Sequence, residues 1–418
     1  MYLHKILLNI FLLMVLILTS LLLIDFPEGG LFLILTSFIS IKLIFDANFK
    51  VSNPRVWFVF AINMYHLSIC VLDYIGFRYV ENVNEIIIIN FICVFSFWCV
   101  SMFYKNDSLI SLNSQIKFSD QFIKTMLIML FILSLMIPIS FLLSGAKIKA
   151  DFDNKFEFLF PILNFAFAIY IIRYKPKIKS KIMLFMVLYT LVISLLLGER
   201  NVLLSTLIML LFYASMMKSI SNKKIIAYSL SIFLLIPVLG MFKNVFTTSV
   251  QLDDDSSMFI SLLNGEFRSA GYNLNVVLND DSELLYGKTI TGDVLRSFVP
   301  GFIYKFENAI LWYNKKYHAN ILSQGRGYGF SLAAEGYVNF GYAGIFIWFI
   351  FVSSLILYIY DKSLYDEKWL VVYFLIVPTF IYSLRGDLST ILSPTLKQII
   401  LPFIIYYITD RFLVNATK

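Results

Sequence analysis

The apolar residues of this chain come in long blocks that are separated by short polar connections. Each block runs for roughly 20 residues, the length that an α-helix needs to cross the hydrocarbon core of a bilayer. The predicted spans lie near residues 3–24, 30–46, 56–75, 85–104, 121–143, 157–173, 181–198, 202–218, 224–241, 330–360, 368–384 and 395–412. The pattern therefore predicts an all-α fold, a polytopic transmembrane helix bundle of about twelve spans.

Composition agrees with this pattern and excludes an ordinary soluble protein. Hydrophobic residues make up 59% of the chain, charged residues only 15%, and the mean hydropathy is +0.79. Soluble domains carry about 25% charged residues. The segment 330–360 is longer than a bilayer requires, so we expect it to tilt or to project from the membrane.

One connection is far longer than the others. It covers residues 242–329 and divides the chain into a first membrane part (1–241), the connection itself and a second membrane part (330–418). Connections of that length without structure of their own are uncommon and usually functional. Its segment Asp293–Phe306, DVLRSFVPGFIYKF, is amphipathic and suited to the membrane surface. We therefore expect a connection that is partly helical.

Lysine and arginine are distributed unevenly over the connections. With a cytoplasmic N-terminus, the connections on that side hold more than twice as many of them as the short external ones. Because basic residues concentrate on the cytoplasmic side of membrane proteins, both termini are predicted to be cytoplasmic and residues 242–329 external. The net charge of +7 follows from this asymmetry, and we infer no nucleic-acid partner.

A polar stripe begins the segment that follows the long connection. The stretch Gly325–Gly344, GRGYGFSLAAEGYVNFGYAG, starts like a loop and runs without a break into an apolar helix that we expect to begin near residue 330. One face of that helix carries polar residues at spacings of four, four and three, namely Ser331, Glu335, Asn339 and Tyr342. Glu335 is thus an ionisable group at the mouth of a membrane helix. The alternative is that it lies at the water interface and caps the first turn, where a carboxylate is favoured.

Two short turns on the predicted external side carry paired charges. LLLGERN holds Glu199 with Arg200, and YSLRGDLST holds Arg385 with Asp387. An arginine at a membrane mouth is costly unless it pairs with an acid or lines a wet cavity, which makes it a functional candidate. Plain interfacial charge clusters are the alternative for each turn. The topology brings both turns to the same side as further charged residues, which are Arg268, Arg326 and Glu335.

Several arginines presented together suit one kind of ligand. A guanidinium makes paired, charge-assisted hydrogen bonds to phosphate oxygens and stays protonated, so the set predicts recognition of a phosphate or pyrophosphate. A nearby carboxylate is a candidate general base toward a hydroxyl. Together they suggest a membrane enzyme that takes a sugar chain from a polyprenyl pyrophosphate and passes it to an acceptor hydroxyl. The arginines would stabilise the charge that develops on the leaving pyrophosphate.

The motifs LGERN, FRSAGYN, LRSFVP and above all SLAAEGYVNFGYAG resemble the Wzy-type oligosaccharide repeat-unit polymerases of bacterial O-antigen, capsule and exopolysaccharide synthesis. The resemblance covers the layout of the whole chain. It implies a multi-pass protein of the cell inner membrane that polymerises undecaprenyl-pyrophosphate-linked units at its periplasmic face, with no cofactor. It also raises a chain-length-regulating co-polymerase as a partner, a point that the residues leave open.

Motifs and resemblance together define the candidate site. We predict Glu335, Arg268 and Arg200 as catalytic residues. The predicted substrate-binding residues are Arg326, Arg385, Arg296, Asn339, Tyr337, Glu199 and His318. For His318, an exposed loop position is the alternative. The acidic run Asp253–Asp255 is interpreted as a solvated turn, and no metal site is predicted.

Two other classes of function stay open at this point. One is an O-antigen ligase or another membrane transferase, which also needs a large external loop and would give His318 more weight. The other is a flippase for lipid-linked oligosaccharides. A flippase should show related halves, charges inside its spans and short loops, whereas these spans are nearly free of charge and one loop is long.

Overall fold

The computed structural model describes residues 27–104, 118–145, 158–197, 200–217, 220–247, 260, 262–280, 283–299, 303–304, 306–323 and 327–416. Within these ranges the chain is helical and forms no strand, which confirms the predicted fold class. The α-helices are α1 (Pro27–Asp46), α2 (Pro54–Tyr74), α3 (Val83–Ser101), α4 (Asp120–Ser134), α5 (Met136–Ser144), α6 (Leu159–Tyr174), α7 (Lys181–Leu197), α8 (Arg200–Met216), α9 (Asn222–Thr247), α10 (Arg268–Leu278), α11 (Lys288–Phe298), α12 (Ala309–Tyr317), α13 (Ala319–Leu322), α14 (Leu332–Ser363), α15 (Glu367–Ser383), α16 (Ser389–Pro394) and α17 (Leu401–Ala416). Two π-helical turns, Leu263–Phe267 and Thr395–Ile400, precede α10 and α17.

Six helical stretches of the described chain are long and apolar enough to cross a membrane. They are Gly29–Asp46, Pro54–Tyr74, Val83–Ser101, Asp120–Ser144, Leu332–Ser363 and Ser389–Thr409. Shorter apolar helices are Leu159–Tyr174, Lys181–Leu197 and Arg200–Met216. Every predicted span inside the described ranges coincides with a helix, and the span near 3–24 lies outside them. The chain is a multi-pass integral membrane protein, and the count of about twelve spans stays a prediction.

The helices pack as two groups with a space between them. In the first, α3 packs against α1, α2 and α14, and α10 lies on α2. In the second, α8 packs against α7, α9 and α15, while α6 packs against α4 and α15. The groups are joined where α14 contacts α15. The facing sides of α2, α8, α9 and α15 enclose the cavity described below.

A ladder of buried polar side chains ties α1, α2 and α3 together. The Asn63 amide donates to Ser40 Oγ, and the Asn90 amide donates to Asn63 Oδ1 at 2.9 Å. His66 Nδ1 lies 3.2 Å from Asn90 Oδ1. Since Asn90 Oδ1 is an acceptor, Nδ1 carries the ring proton of a neutral His66. These bonds satisfy polar groups that apolar surroundings would otherwise penalise.

The long helix α14 is broken near its start. Ser331 caps it, its side chain accepting from Ala334 N, but Phe340 and Gly341 leave the helical conformation. Gly341 has φ 62° and ψ −148°, a region that is essentially restricted to glycine. The predicted continuous helix over 330–360 is therefore wrong at this point. The four-residue stripe is wrong as well, because the kink leaves Tyr342 43% exposed while the other three members are fully buried.

The kink lets the long connection pair with the membrane helix. Backbone N–H groups of Leu285 and Tyr286 donate to the carbonyls of Val338 and Asn339 at 2.8 and 3.2 Å. Carbonyls that a helix interruption frees must find such partners away from water. The connection is thus fastened to the first two turns of α14.

The connection is partly helical, as predicted, and its amphipathic segment is unusual. Helix α11 buries Thr289, Asp293 and Ser297 against α16, and it exposes Leu295 and Phe298. Its buried side is therefore polar, while its exposed side mixes these apolar residues with Lys288, Thr291 and Arg296. Location on the membrane surface and on the external side stays a prediction.

Candidate functional site

A large cavity lies between the two helix groups. Its volume is about 1190 Å³. Most of its wall is apolar, and α8 lines it from Arg200 to Phe212. Twelve helical steps correspond to about 18 Å. The cavity is therefore long enough to take an apolar chain along α8, with a charged group near Arg200.

Two of the predicted arginines line this cavity. Arg200 is the first residue of α8, and Arg385 follows the end of α15. Both side chains are partly exposed. The Arg385 guanidinium lies 4.6 Å from the centre of the Tyr382 ring, which also lines the cavity. A cation over an aromatic face is held in a fixed direction. The structure thus brings to one cavity two residues that are 185 positions apart in the sequence.

The segment Arg385–Thr390 forms the polar part of this wall and is tightly anchored. Phe330 N donates to the Arg385 carbonyl at 3.0 Å. Gly329 lies so close that a Cβ there would be 2.7 Å from the same oxygen. A glycine is needed at this position because the two backbones touch. The glycine-rich stretch found in the sequence therefore has a structural use, which is to dock against the Arg385 turn.

Three buried carboxylates meet behind that wall, and we call Asp293, Glu335 and Asp387 the carboxylate cluster. They come from α11, α14 and the turn before α16, and each is fully buried. Asp293 accepts from the backbone N–H of Ala309 at 2.8 Å and of Ser389 at 3.1 Å. Its oxygens thus cap the N-termini of α12 and α16, where a carboxylate is favoured.

Asp387 is the most heavily bonded member of the cluster. It accepts from Asn308 Nδ2 at 2.6 Å, from Ile310 N at 3.1 Å and from Ser389 Oγ at 2.7 Å. It also accepts from the backbone N and the hydroxyl of Thr390 at 3.0 and 2.8 Å. Burying a carboxylate is costly unless its lone pairs are satisfied, and these donors satisfy them.

Only one of the two carboxyl oxygens of Glu335 accepts a hydrogen bond from the backbone. Its Oε2 accepts from Leu388 N at 2.8 Å, and its Oε1 meets no N–H or O–H donor in the described part of the chain. The carboxyl groups of Glu335 and Asp293 adjoin each other. Two buried carboxyl groups in contact repel strongly when both are ionised, which favours one proton between them. Burial, together with the nearby Asp387 carboxylate, raises the pKa of Asp293 to about 7.

Arg296 is linked to the carboxylate cluster through the side chain of Asn308. Its Nη1 donates to Asn308 Oδ1 at 2.7 Å, and Asn308 Nδ2 donates to Asp387. Asn308 also caps α12 by accepting from Leu311 N. Arg296 itself is exposed. The predicted substrate-binding residue is therefore placed where its charge orients an amide that holds Asp387.

Arg268 belongs to a second arginine pair. Its guanidinium and that of Arg78 lie 5.7 and 5.6 Å from the centre of the same Tyr272 ring. Arg268 donates to Asn264 Oδ1, and no carboxylate in the described part of the chain pairs with either arginine. Partial burial and the charge of Arg78 lower the pKa of Arg268. Arg268 does not line the cavity that holds Arg200 and Arg385.

His318 ends a hydrogen-bonded chain. The Asn273 amide donates to the Gly329 carbonyl, and Tyr313 donates its hydroxyl to Asn273 Oδ1 at 3.0 Å. His318 Nε2 lies 3.0 Å from that hydroxyl oxygen. Because Tyr313 has only one proton, Nε2 donates and Nδ1 keeps a lone pair. Partial burial lowers the pKa of His318. It is thus a neutral, half-buried imidazole at neutral pH.

The remaining predicted residues have different surroundings. Asn339 is fully buried, donates to Thr289 Oγ1 and the Glu335 carbonyl, and accepts from Gly287 N. Its amide holds the long connection to α14. Tyr337 is partly exposed, with its ring against Tyr342. Glu199, Arg326 and the run Asp253–Asp255 lie outside the described residues.

Sequence reasoning missed several members of this region. Asp293 begins the amphipathic segment Asp293–Phe306 but is not among the predicted site residues, and Asn308 directly precedes a helix start, a position typical of a cap. Asp387 was noticed as a charge, and its spacing to Thr390 is a common helix-start signal. Tyr272 lies inside the motif FRSAGYN, but neither it nor Arg78 is among the predicted site residues. No group of His, Cys, Asp and Glu suited to a metal ion occurs among the residues that the structure describes.

Comparison with known proteins gives one clear result. The family model described as O-antigen polysaccharide polymerase Wzy matches residues 5–416, nearly the whole chain. No curated protein and no solved structure matches the chain.

Proposed function

Since this chain belongs to the O-antigen polysaccharide polymerase Wzy family, we propose that it polymerises oligosaccharide repeat units carried on undecaprenyl pyrophosphate. The reaction would take place at the external face of the cell inner membrane, with both termini in the cytoplasm. The family supports this role over the ligase and flippase hypotheses. A chain-length-regulating co-polymerase is part of the same proposal.

The cavity lined by two arginines carries the proposal. A lipid-linked substrate has an apolar tail and a pyrophosphate head, and the cavity offers apolar walls along α8 together with Arg200 and Arg385. The arginine forks would bind the pyrophosphate oxygens of the donor and stabilise the charge on the leaving group. The tail would lie against the apolar side chains of α2, α8 and α15.

A polymerase needs a second lipid-linked substrate, and Arg78 with Arg268 is a candidate site for it. These two cations flank Tyr272 without a carboxylate partner in the described part of the chain. Two like charges held close together repel, so an anion between them would be favourable. We assign the acceptor head group to this pair and the donor to Arg200 and Arg385.

The transfer forms one bond and breaks another. The acceptor hydroxyl oxygen bonds to the anomeric carbon of the donor, the bond from that carbon to the pyrophosphate oxygen breaks, and polyprenyl pyrophosphate leaves with the electron pair. The hydroxyl proton passes to a base. We propose Glu335 as that base. Glu335 and Asp293 are adjoining carboxyl groups with one proton between them, and such a pair keeps a basic oxygen.

Glu335 acts in this way only if the chain moves. Its Oε2 is held by Leu388 N, within the segment whose Arg385 and Thr390 line the cavity. Substrate would therefore reach Glu335 after this segment shifts. His318, a neutral imidazole with an acceptor nitrogen, is a second candidate for the base.

Deletion of the gene tests the function as a whole. Electrophoresis of the surface polysaccharide should show chains that stop at a single repeat unit, and the wild-type gene on a plasmid should restore the ladder. Loss of every repeat unit would indicate a transporter or an earlier step. An unchanged ladder would refute the proposal.

A further inference from the structure

The segment Arg385–Thr390 has two sides with different partners. On one side, Arg385 and Thr390 line the cavity. On the other, Asp387, Leu388 and Ser389 are bonded to the carboxylate cluster and its donors. A segment of only six residues thus joins the cavity wall to a buried polar region.

We propose that Asp387 is a positioning residue for pyrophosphate binding: it holds this segment in the shape that presents Arg385 and Thr390 to the cavity. Asp293 and Glu335 secure the same segment from behind through Ser389 N and Leu388 N. The inference rests on the proposed function, since it concerns the site at which the donor head group binds.

The hydrogen bonds of Asp387 are the first support. One carboxylate receives the hydroxyls of Ser389 and Thr390 and the Thr390 backbone N–H, which closes the turn on itself. It also receives the Asn308 amide and the Ile310 N–H from the long connection. Asp387 therefore fixes both the conformation of the segment and its position against α12.

The Thr390 hydroxyl connects this carboxylate directly to the cavity. Thr390 Oγ1 accepts from Asp387 N at 2.7 Å and lies 2.6 and 2.8 Å from the Asp387 carbonyl and Oδ1. Thr390 itself is a wall residue of the cavity. Any loosening of Asp387 therefore displaces a group that faces the substrate.

The negative charge of Asp387 allows a positioning role to be distinguished from a purely electrostatic effect on pyrophosphate binding. A carboxylate so near to a site for a pyrophosphate weakens anion binding through space. If electrostatics alone governed affinity, neutralising Asp387 would strengthen binding. A positioning role predicts weaker binding instead, because asparagine keeps only one of the two oxygens. It gives up the acceptor either of Ser389 Oγ, Thr390 Oγ1 and Thr390 N or of Asn308 Nδ2 and Ile310 N, and a buried donor left unpaired is costly.

Binding of farnesyl pyrophosphate, a short polyprenyl pyrophosphate, to the purified full-length protein in lipid nanodiscs tests this inference. We expect Arg385→Ala and Asp387→Asn each to raise the Kd about tenfold, roughly the loss of one charge-assisted hydrogen bond. The double variant should bind no more weakly than Arg385→Ala alone, because residues that act through one another are not additive.

Two buried serines give a milder, matched comparison. Ser389→Ala removes one donor to Asp387 and does not touch the cavity wall, so we expect the Kd to rise about threefold. Ser383 is also buried, but its hydroxyl donates to Phe380 O inside its own helix. Ser383→Ala should leave the Kd unchanged. This pair decides the question if Asp387→Asn fails to accumulate in the membrane.

The outcomes separate the two proposals. No binding to the wild-type protein, or binding that Arg385→Ala leaves intact, would refute the assigned donor site and the positioning role with it. Binding that depends on Arg385 but is equal or tighter in Asp387→Asn would overturn the positioning role alone. Equal Kd values for Ser389→Ala and Ser383→Ala would do the same.

Discussion

The cavity and the carboxylate cluster share one segment of chain and hold charge in opposite ways. In the cavity, Arg200 and Arg385 are partly exposed beside apolar walls, with room for a ligand. In the cluster, three acids are fully buried, and the groups around them are backbone N–H, amide and hydroxyl donors. The cations border open volume, whereas the anions are surrounded by hydrogen-bond donors of the protein.

This difference distinguishes residues that can bind a ligand from residues that hold the protein backbone in place. A charge that faces open volume is available to a ligand of opposite sign, whereas a buried charge needs hydrogen bonds from the protein itself. Asn339 follows the second pattern, because its buried amide is used entirely within the chain. In the motif SLAAEGYVNFGYAG, residue type alone does not show which polar side chains face a ligand and which are hydrogen-bonded within the protein.

The largest expected effect comes from the one cluster member to which we assign chemistry. Glu335→Gln keeps an oxygen for Leu388 N and offers an amide to Asp293, so the protein should still accumulate in the membrane. If Glu335 is the base, polymerisation should fall about 100-fold or more. Membrane abundance and the repeat-unit ladder are to be measured on the same strain. A normal ladder would make Glu335 a purely structural residue.

The next largest effect is expected from replacing the arginines that line the cavity. Arg200→Ala and Arg385→Ala should each lower kcat/KM for the lipid-linked unit about 10- to 100-fold, because a donor to the leaving group is lost. Lysine at either position should rescue only in part, since it lacks the planar fork. Full activity of both alanine variants in purified protein would exclude the pyrophosphate site.

Replacing Arg78 and Arg268 tests whether the donor and acceptor substrates bind at separate sites. Arg78→Ala and Arg268→Ala should raise the KM for the acceptor about 5- to 10-fold and change donor affinity little. Exposed Lys288 on α11 is a suitable control for loss of one positive charge. If Arg78→Ala matches Lys288→Ala in an assay with separately labelled donor and acceptor, the pair does not bind the acceptor.

The smallest effect concerns pH. The folded pKa of Asp293, about 7, lies above the value of about 3.9 for an unfolded aspartate. The folded state therefore keeps a proton that the unfolded state loses, and stability present below pH 4 declines as pH rises toward 7. The decline is at most about 1.4 kcal/mol per pH unit for one group.

Thermal unfolding in detergent between pH 5 and 8 checks this sign. Asp293 is faced by Glu335 from α14 and Asp387 from the turn before α16. Asp293→Asn carries no ionisable group and should flatten the slope. A wild-type melting temperature that rises over this range, or an equal slope in the variant, would contradict the prediction.

The sequence by itself determined the class of the protein, the positions of its helices and its family. Blocks of apolar residues are a local property, and a bilayer demands helices of a set length wherever they occur. The same reasoning singled out Arg200 and Arg385, and the structure places both in the lining of one cavity. It failed at Phe340 and Gly341, where glycine permits a kink that apolar periodicity does not reveal.

Only the tertiary structure decided which polar residues meet. Asp293, Glu335 and Asp387 are separated by 42 and 52 positions in the chain and share a buried region because α11, α14 and the turn before α16 pack together. Arg78 and Arg268 share one tyrosine ring although they come from opposite parts of the chain. Burial and hydrogen bonding of a side chain depend on neighbours that are distant in sequence, so local pattern identifies candidates, and packing decides which of them face a ligand.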